Sequence, residues 1–348
     1  MEFLIATYFP TAHAISFFID TVIVEFPRTD NTIAAESLPS GFTNCGPTSL
    51  RFFYGELAYT QLDQRRIIPN SKFLTGDIDD TYYIGDGNPF TPGMRVFNSL
   101  GDDKNPNVHE FTSGIFVHKD GKHKVTLSAH AYDDVLMPKD DDLSGSLPLK
   151  LFQGNEKHSS EVAVLDELVQ FNGVRTDIGL ASIAPKLEFE NKTFQNDIKI
   201  RKLMRLRECR LNDIFLIDSY ITGPQKLTLH GIRRTVRQGA RATQQYDIKT
   251  KELPSDLLPS PKLPCLGLVQ GMFSSSALEI PRQPKIRAGV CGSAVIRIRT
   301  KTRDVSADGA VAGFMHFADL EPRNDTGGNL ICYADACDAL IDQGWSVY

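Results

Sequence analysis

The chain has 348 residues, 41% of them hydrophobic and 23% charged, with a formal net charge of −5. That length allows two domains or one large one, and that apolar fraction supports a packed core, which excludes wholesale disorder. The acidic balance supplies no basic field for nucleic acid or an anionic membrane surface, and no apolar run reaches the roughly 18–20 residues that span a bilayer.

The first residues, Met1 to Ile5, are apolar but include Glu2, precede any Lys or Arg by a wide margin and are interrupted at Pro10. They read as a structural strand or helix rather than a signal peptide, which wants a basic start. Residues 1–104 are heterogeneous: they hold Cys45-Gly46-Pro47-Thr48-Ser49-Leu50, and from Gly76 to Asn107 they are rich in Asp, Asn, Gly and Pro. From Glu110 the texture changes. Phe111–Phe116 and Lys124–Leu127 read as two short strands joined by the turn Lys119-Asp120-Gly121-Lys122. Residues 138–147 form an acidic loop, and Glu161–Val164 and Ile178–Ala181 read as further strands.

Between Lys199 and Arg210 stand six basic residues with Glu208 as the only acid, a pattern expected of a solvated linker or strand face. Phe215–Ile221, Lys226–Gly231 and Thr243–Ile248 are strand-like, and residues 253–264 are a Pro-rich connection. Val290–Ile298 and Gly309–Phe317 read as strands, while Ala334–Gly344 has helical spacing and ends at a glycine. Many short strands with turn signals, followed by one C-terminal helix, give a mainly β, barrel-type architecture. The six cysteines, at 45, 209, 265, 291, 332 and 337, have neither disulfide-framework nor zinc-site spacing, so a reducing, cytoplasmic setting is expected.

Three local patterns carry chemistry. Val125-Thr126-Leu127-Ser128-Ala129-His130 places a His at the end of an apolar strand. Arg175-Thr176-Asp177-Ile178-Gly179-Leu180 places an Asp at the entry to another. Gly289-Val290-Cys291-Gly292-Ser293-Ala294-Val295 sets a thiol between glycines ahead of a third. A thiol attacks as the thiolate, so an imidazole must take its proton, and the imidazole needs an acceptor on its other nitrogen. Glycines beside the nucleophile permit a tight turn whose amides, those of Gly289 and Cys291, can face a developing oxyanion.

This order, and these contexts, resemble chymotrypsin-fold peptidases, and with a Cys nucleophile the likeness is to the viral cysteine proteases of that fold. From His130 to Asp177 is 47 residues and from Asp177 to Cys291 is 114. The resemblance covers about 110–330. It implies two six-stranded-type β-barrels: residues 105–190 as the first, with His130 and Asp177, and 191–348 as linker, second barrel with Cys291 and C-terminal helix, behind an N-terminal extension of residues 1–104. It implies a cysteine endopeptidase, with a Cys291-His130-Asp177 triad, a polypeptide substrate, and neither cofactor nor metal. Gly309–Phe317 resembles the strand that walls the primary specificity pocket, which makes His316, Phe317 and Ala318 substrate-binding, and Lys285, six residues before the nucleophile, falls at the pocket base. Val290 stands where zymogen-activated members carry an acid, and Met315 stands where viral members carry a glutamine-reading His.

Two other readings are open. The same barrels can serve as an inactive, protein-binding pseudoprotease. Alternatively, Cys45-Gly46-Pro47-Thr48-Ser49 resembles the nucleophile segment of papain-like peptidases, with a partner among His109, His118, His123 and His130, followed by an Asp such as Asp133.

Overall fold

The structure is a computed structural model that describes residues 9, 11–18, 21–26, 49–54, 68–69, 89–100, 107–130, 148–155, 158–171, 174–194, 197–221, 223–237, 265–275, 290–301, 304–318 and 330–348. In chain order its strands begin with β1 (Ala14–Phe17), β2 (Thr21–Phe26), β3 (Ser49–Tyr54), β4 (Ile68–Pro69), β5 (Arg95–Leu100), β6 (Asn107–Thr112) and β7 (Phe116–Lys119). Next come β8 (Lys122–Ser128), β9 (Leu149–Asn155), β10 (His158–Phe171), β11 (Val174–Ile183), β12 (Lys202–Leu203), β13 (Ile214–Ile217) and β14 (Gln225–Arg237). The chain continues through β15 (Cys265–Ser275), β16 (Ala294–Lys301), β17 (Asp304–Ala318) and β18 (Leu330–Ala336) to the helix α1 (Asp338–Asp342) and β19 (Ser346–Val347).

The strands form two sheets. In one, the order β13-β16-β17-β18-β15-β14 closes on itself through β13–β14 pairing and makes a six-strand barrel. The other, ordered β19-β7-β8-β11-β10-β9-β5-β6-β4, curls into a second, open half-barrel. The mainly β double-lobed architecture with a C-terminal helix is the one expected, although only the second lobe is a closed barrel.

The N-terminal residues join both lobes. The first four residues of β14, Gln225–Thr228, pair with β13 and close the barrel. Farther along, Ile232–Thr235 of the same strand pair with β1. A 13-residue strand is long enough to do both. β2 then adds antiparallel to β1, and β3 parallel to β2. Residues 95–100, which lie before position 105, are the strand that connects β6 to β9 in the open sheet. At the other end of the chain, β19 returns to β7.

Among the described residues, the four larger apolar clusters follow this layout. Val96, Phe111, Phe116, Val125, Leu127 and Leu151 fill the open half-barrel. Phe215, Leu229, Phe273, Val295, Ala312 and Met315 fill the closed barrel. Ile115, Ile178, Leu180, Ile296, Phe314 and Leu340 pack where the lobes meet. Phe9, Ile15, Val24, Phe26 and Leu50 give the N-terminal strands a core of their own.

Several boundaries differ from the sequence reading. The segment read as one strand over 111–116 splits into β6 and β7, because Ser113 leaves the ladder: its amide donates to the Met94 carbonyl (2.8 Å) and its hydroxyl to the Thr91 carbonyl (2.9 Å). The turn to β8 is as read, with Asp120 at φ 48° and Gly121 at φ 75°, the left-handed pair that a two-residue hairpin needs. Val290–Ser293 is a turn rather than the start of a strand. The helix read over 334–344 is short: Ala334–Ala336 belong to β18, and only Asp338–Asp342 are helical. In the basic segment, Arg205 pairs with Asp342 (2.6 Å) and Asp338 (3.8 Å), while Lys202 and Arg207 are exposed. Met1–Ile5, Cys45, residues 138–147, Thr243–Ile248 and the Pro-rich 253–264 lie outside the described residues. Among the described residues no helix is long and apolar enough to cross a membrane.

Candidate active site

The β8–β11 ladder sets the first two residues side by side. Ile178 lies opposite Ser128, and the Ala129 amide donates to the Asp177 carbonyl (3.0 Å). His130 therefore leaves the strand end beside the Asp177 carboxylate. Oδ2 of Asp177 lies 2.8 Å from His130 Nδ1, and Oδ1 accepts the His130 backbone N–H at 2.6 Å. Ser128 Oγ donates to the same Oδ2 (2.9 Å) and sits 2.8 Å from Nδ1. A carboxylate only accepts, so Nδ1 carries the proton and Nε2 is left for chemistry. Ser128 completes this cage, and its apolar-strand context gave no sign of that role.

Cys291 arrives from the other lobe. Val290-Cys291-Gly292-Ser293 is a turn in which the Ser293 amide (3.1 Å) and hydroxyl (2.6 Å) both donate to the Val290 carbonyl. Gly292 has φ +90°, and a Cβ there would stand 2.5 Å from the Thr112 carbonyl and 3.0 Å from the Ser128 amide nitrogen. The turn is thus wedged between the ends of β6 and β8, and only glycine fits that approach. Thr112 N donates to the Cys291 carbonyl (3.1 Å), while Gly292 N and Met315 N tie the turn to β17. The Cys291 thiol donates to the His316 carbonyl at 2.9 Å, and Cys291 acts electrostatically on the His130 ring.

Burial works against a charged His130, but the charges of Asp177 and Cys291 outweigh it and hold the imidazole well above its usual range. Burial likewise pushes the Asp177 carboxyl up, yet the charges of His130 and His316 and the hydrogen bonds from His130 bring it down to about 2.

His316, read from the sequence as a pocket residue, faces this cluster. Its ring stacks on that of His130 with centroids 5.7 Å apart, its Nδ1 lies 3.1 Å from Asp335 Oδ1, and its Nε2 lies 3.8 Å from Asp177 Oδ2. Burial lowers its affinity for a proton, and the charges of Asp177 and Asp335 more than restore it. Among the described residues, the ligand atoms of His130, Asp177 and His316 lie within 4.8 Å of one another, but Asp177 Oδ2 is already the acceptor of His130 Nδ1 and only an ion-pair neighbour of His316. Phe317 and Ala318 continue β17 opposite Tyr333 and Cys332. Gly289 and Lys285 lie outside the described residues, as do Cys45 and Asp133 of the papain-like reading. Of the histidines that reading offers, His118 and His123 pack against Tyr348, and His130 is committed to Asp177.

A second polar group is buried in this part of the molecule. Arg95 ion-pairs with Glu110, and Tyr220 donates to Glu110 Oε2 (3.0 Å). Burial raises the Tyr220 phenol far above its usual range, with Glu110 and Cys291 adding in the same direction. Nothing in the local sequence around Arg95, Glu110 or Tyr220 marks them. Among the described residues, Cys209, Cys291, Cys332 and Cys337 are free thiols, and Cys332 and Cys337 are buried. Burial pushes the Cys209 thiol up to about 12, so it stays protonated.

No protein-family model matches the chain, and no curated protein matches it in sequence. Among solved structures it is similar to a glutamic acid specific serine protease described as using a histidine triad in substrate binding, with TM-score 0.40 and 12% identity, over 74% of this chain and 100% of that one. It is also similar to Thermobifida fusca Protease A (TM-score 0.35, 9% identity, 74% of this chain and 97% of that one). A third similar structure is the active form of the Rv3671c protease of M. tuberculosis (TM-score 0.34, 12% identity, 72% of this chain and 78% of that one).

Proposed function

We propose that the chain is a cysteine endopeptidase in which Cys291 is the nucleophile, His130 the general base and then acid, and Asp177 the residue that orients His130. The observation that carries this reading is the His130–Asp177 pair, in which Asp177 fixes the tautomer, with Cys291 brought in from the other lobe to act on the same ring. In the attack, the Cys291 thiol passes its proton to His130 Nε2 while sulfur bonds to the carbonyl carbon of the scissile peptide. The Cys291 amide, with that of Gly289, would hold the resulting oxyanion. Collapse breaks the C–N bond, and His130 gives its proton to the leaving amine. A water then attacks the thioester, with His130 again taking a proton, and the thiol is regenerated.

The imidazolium-favouring surroundings of His130 suit a thiolate–imidazolium pair, the reactive form of such a nucleophile. The described free thiols differ in surroundings: Cys291 acts on the His130 imidazole, whereas burial raises both Cys209 and Cys337. A peptide-like thiol-reactive probe tests the reading. Labelling at Cys291 that is lost in His130→Ala supports it; labelling at Cys45 supports the papain-like alternative; no labelling of the folded chain leaves a binding module.

A further inference from the structure

We propose that Asp335 is a positioning residue of this site, and that Glu25 of the N-terminal extension holds it in place through Arg233 and Gln270. The proposal rests on the cysteine-peptidase reading above and extends it to a part of the chain that reading leaves without a role.

The geometry is a row of polar side chains across adjacent strands. In the register of the sheet, Asp335 of β18 lies opposite Gln270 of β15, Gln270 opposite Arg233 of β14, and Arg233 opposite Ser16 of β1. Residues directly opposite one another on a face are close enough to bond. Ser16 Oγ donates to Glu25 Oε1 (2.9 Å), and Arg233 donates to Glu25 through Nε (3.0 Å) and Nη2 (3.1 Å). Arg233 Nη1 donates to Gln270 Oε1 (3.0 Å), and Gln270 Nε2 donates to Asp335 Oδ1 (2.8 Å). Asp335 Oδ2 accepts the backbone N–H of Asp177 at 2.6 Å, and its Oδ1 faces His316 Nδ1.

The direction of this row is fixed by its ends. A guanidinium only donates and a carboxylate only accepts, so the Gln270 amide has one orientation that satisfies both neighbours. All four side chains are almost fully buried: Glu25 0%, Arg233 1%, Gln270 3% and Asp335 1% exposed. Glu25 is held at about 2, against the upward push of burial, by His13 and the Arg233 charge, so it is ionised. The charges then alternate from the extension to the site: Glu25 against Arg233, Asp335 against His316, Asp177 against His130. A buried ion pair is a poor way to gain stability compared with apolar packing. Its use here, on the one row that ends at the Asp177 amide, is accounted for by placement of the site.

Among the described residues, the titratable groups that face His130 are Asp177 from β11, Cys291 from the turn and His316 from β17, with Asp335 of β18 behind His316. Loosening Asp335 weakens the hold on Asp177 and His316 together. The acceptor for the Cys291 proton is then less well held, and Cys291 reacts more slowly.

Alkylation of Cys291 by iodoacetamide, followed peptide by peptide against pH on the full chain, tests this. Wild type and His130→Ala come first: a Cys291 rate indifferent to His130 would sink the peptidase reading itself. Given that dependence, Gln270→Met and Glu25→Gln are expected to move the alkylation midpoint up by about one pH unit, so that the rate below it falls about tenfold at fixed pH. A Gln270→Met/Glu25→Gln double variant should be no slower than the slower single, since both break one chain. Rates are normalised to the folded fraction from near-UV circular dichroism. If Glu25→Gln does not fold, Gln270→Met, which removes no charge, decides. A Gln270→Met profile within about 0.3 pH units of wild type, or an additive double variant, overturns the proposal while leaving the peptidase reading intact.

Discussion

Both oxygens of Asp177 are already committed, to the His130 ring, the His130 amide and Ser128, and this sets what substitutions at the site do. In Asp177→Asn, the new NH2 group faces a donor, and the ring loses its tautomer control. A thiol still loses its proton to imidazole more readily than a hydroxyl does, so turnover should fall about 10- to 100-fold. His130→Ala removes the proton acceptor outright and should cost at least about a thousandfold. Turnover of a peptide substrate, measured on variants with unchanged circular dichroism, checks this; equal losses would argue against a thiolate–imidazolium pair. Gly292→Ala acts by geometry. With φ +90° and a Cβ 2.5 Å from the Thr112 carbonyl, it should destabilise by about 1–3 kcal/mol and displace the Cys291 turn. Thermal unfolding and Cys291 alkylation should both register the change, and a variant with wild-type values in both would show that the turn has room to adapt.

The strands differ in how far their sequences announce them. β8, β11 and the middle of β17 are apolar runs beside turn residues, and they were legible, as were the motifs adjoining them. Apolar spacing alone misled at Ala334–Gly344, because Ala334 points to the closed-barrel core while Cys337 and Leu340 pack between the lobes, a strand and a helix sharing one periodic pattern. His130, Asp177 and Cys291 could be singled out as candidates because each is a chemical group in a short, local context. Asp335, Gln270, Arg233 and Glu25 were not, since a polar residue alternating with apolar ones in a strand reads as a solvent face. Only register shows that this row is buried. The N-terminal strands were equally silent in sequence, yet β1 covers the edge of β14 and β2 supplies the partner of Arg233. A chain starting at residue 89 would expose that edge and leave a buried guanidinium without its carboxylate, a loss of about 3–5 kcal/mol on the charge alone. Expression and thermal unfolding of the truncated chain should show aggregation or a large drop in midpoint; an unchanged midpoint would mean that the extension is a detachable unit.

At the scale of the whole molecule, the buried charges tie stability to pH. Asp177 and Glu25 both sit at about 2 in the folded chain, below their ordinary values of 3.8 and 4.5. A carboxyl with a depressed folded value stabilises fully above its unfolded value and loses that contribution as pH falls through the folded one. The window is therefore pH 4.5 down to 2, and each group contributes on the order of 2–3 kcal/mol. His130 and His316 act in the opposite sense, being raised. Their contribution is complete below about pH 6 and is lost as pH rises through their folded values. Stability should thus form a plateau on the mildly acidic side, with a steep acid limb and a gentler alkaline one. Urea unfolding from pH 2 to 9 measures the curve. Asp177→Asn should flatten the acid limb by roughly half, and it should also lower the alkaline limb, because the imidazolium of His130 loses its counter-charge. A steep acid limb that survives in both Asp177→Asn and Glu25→Gln would place the controlling carboxylates elsewhere in the chain.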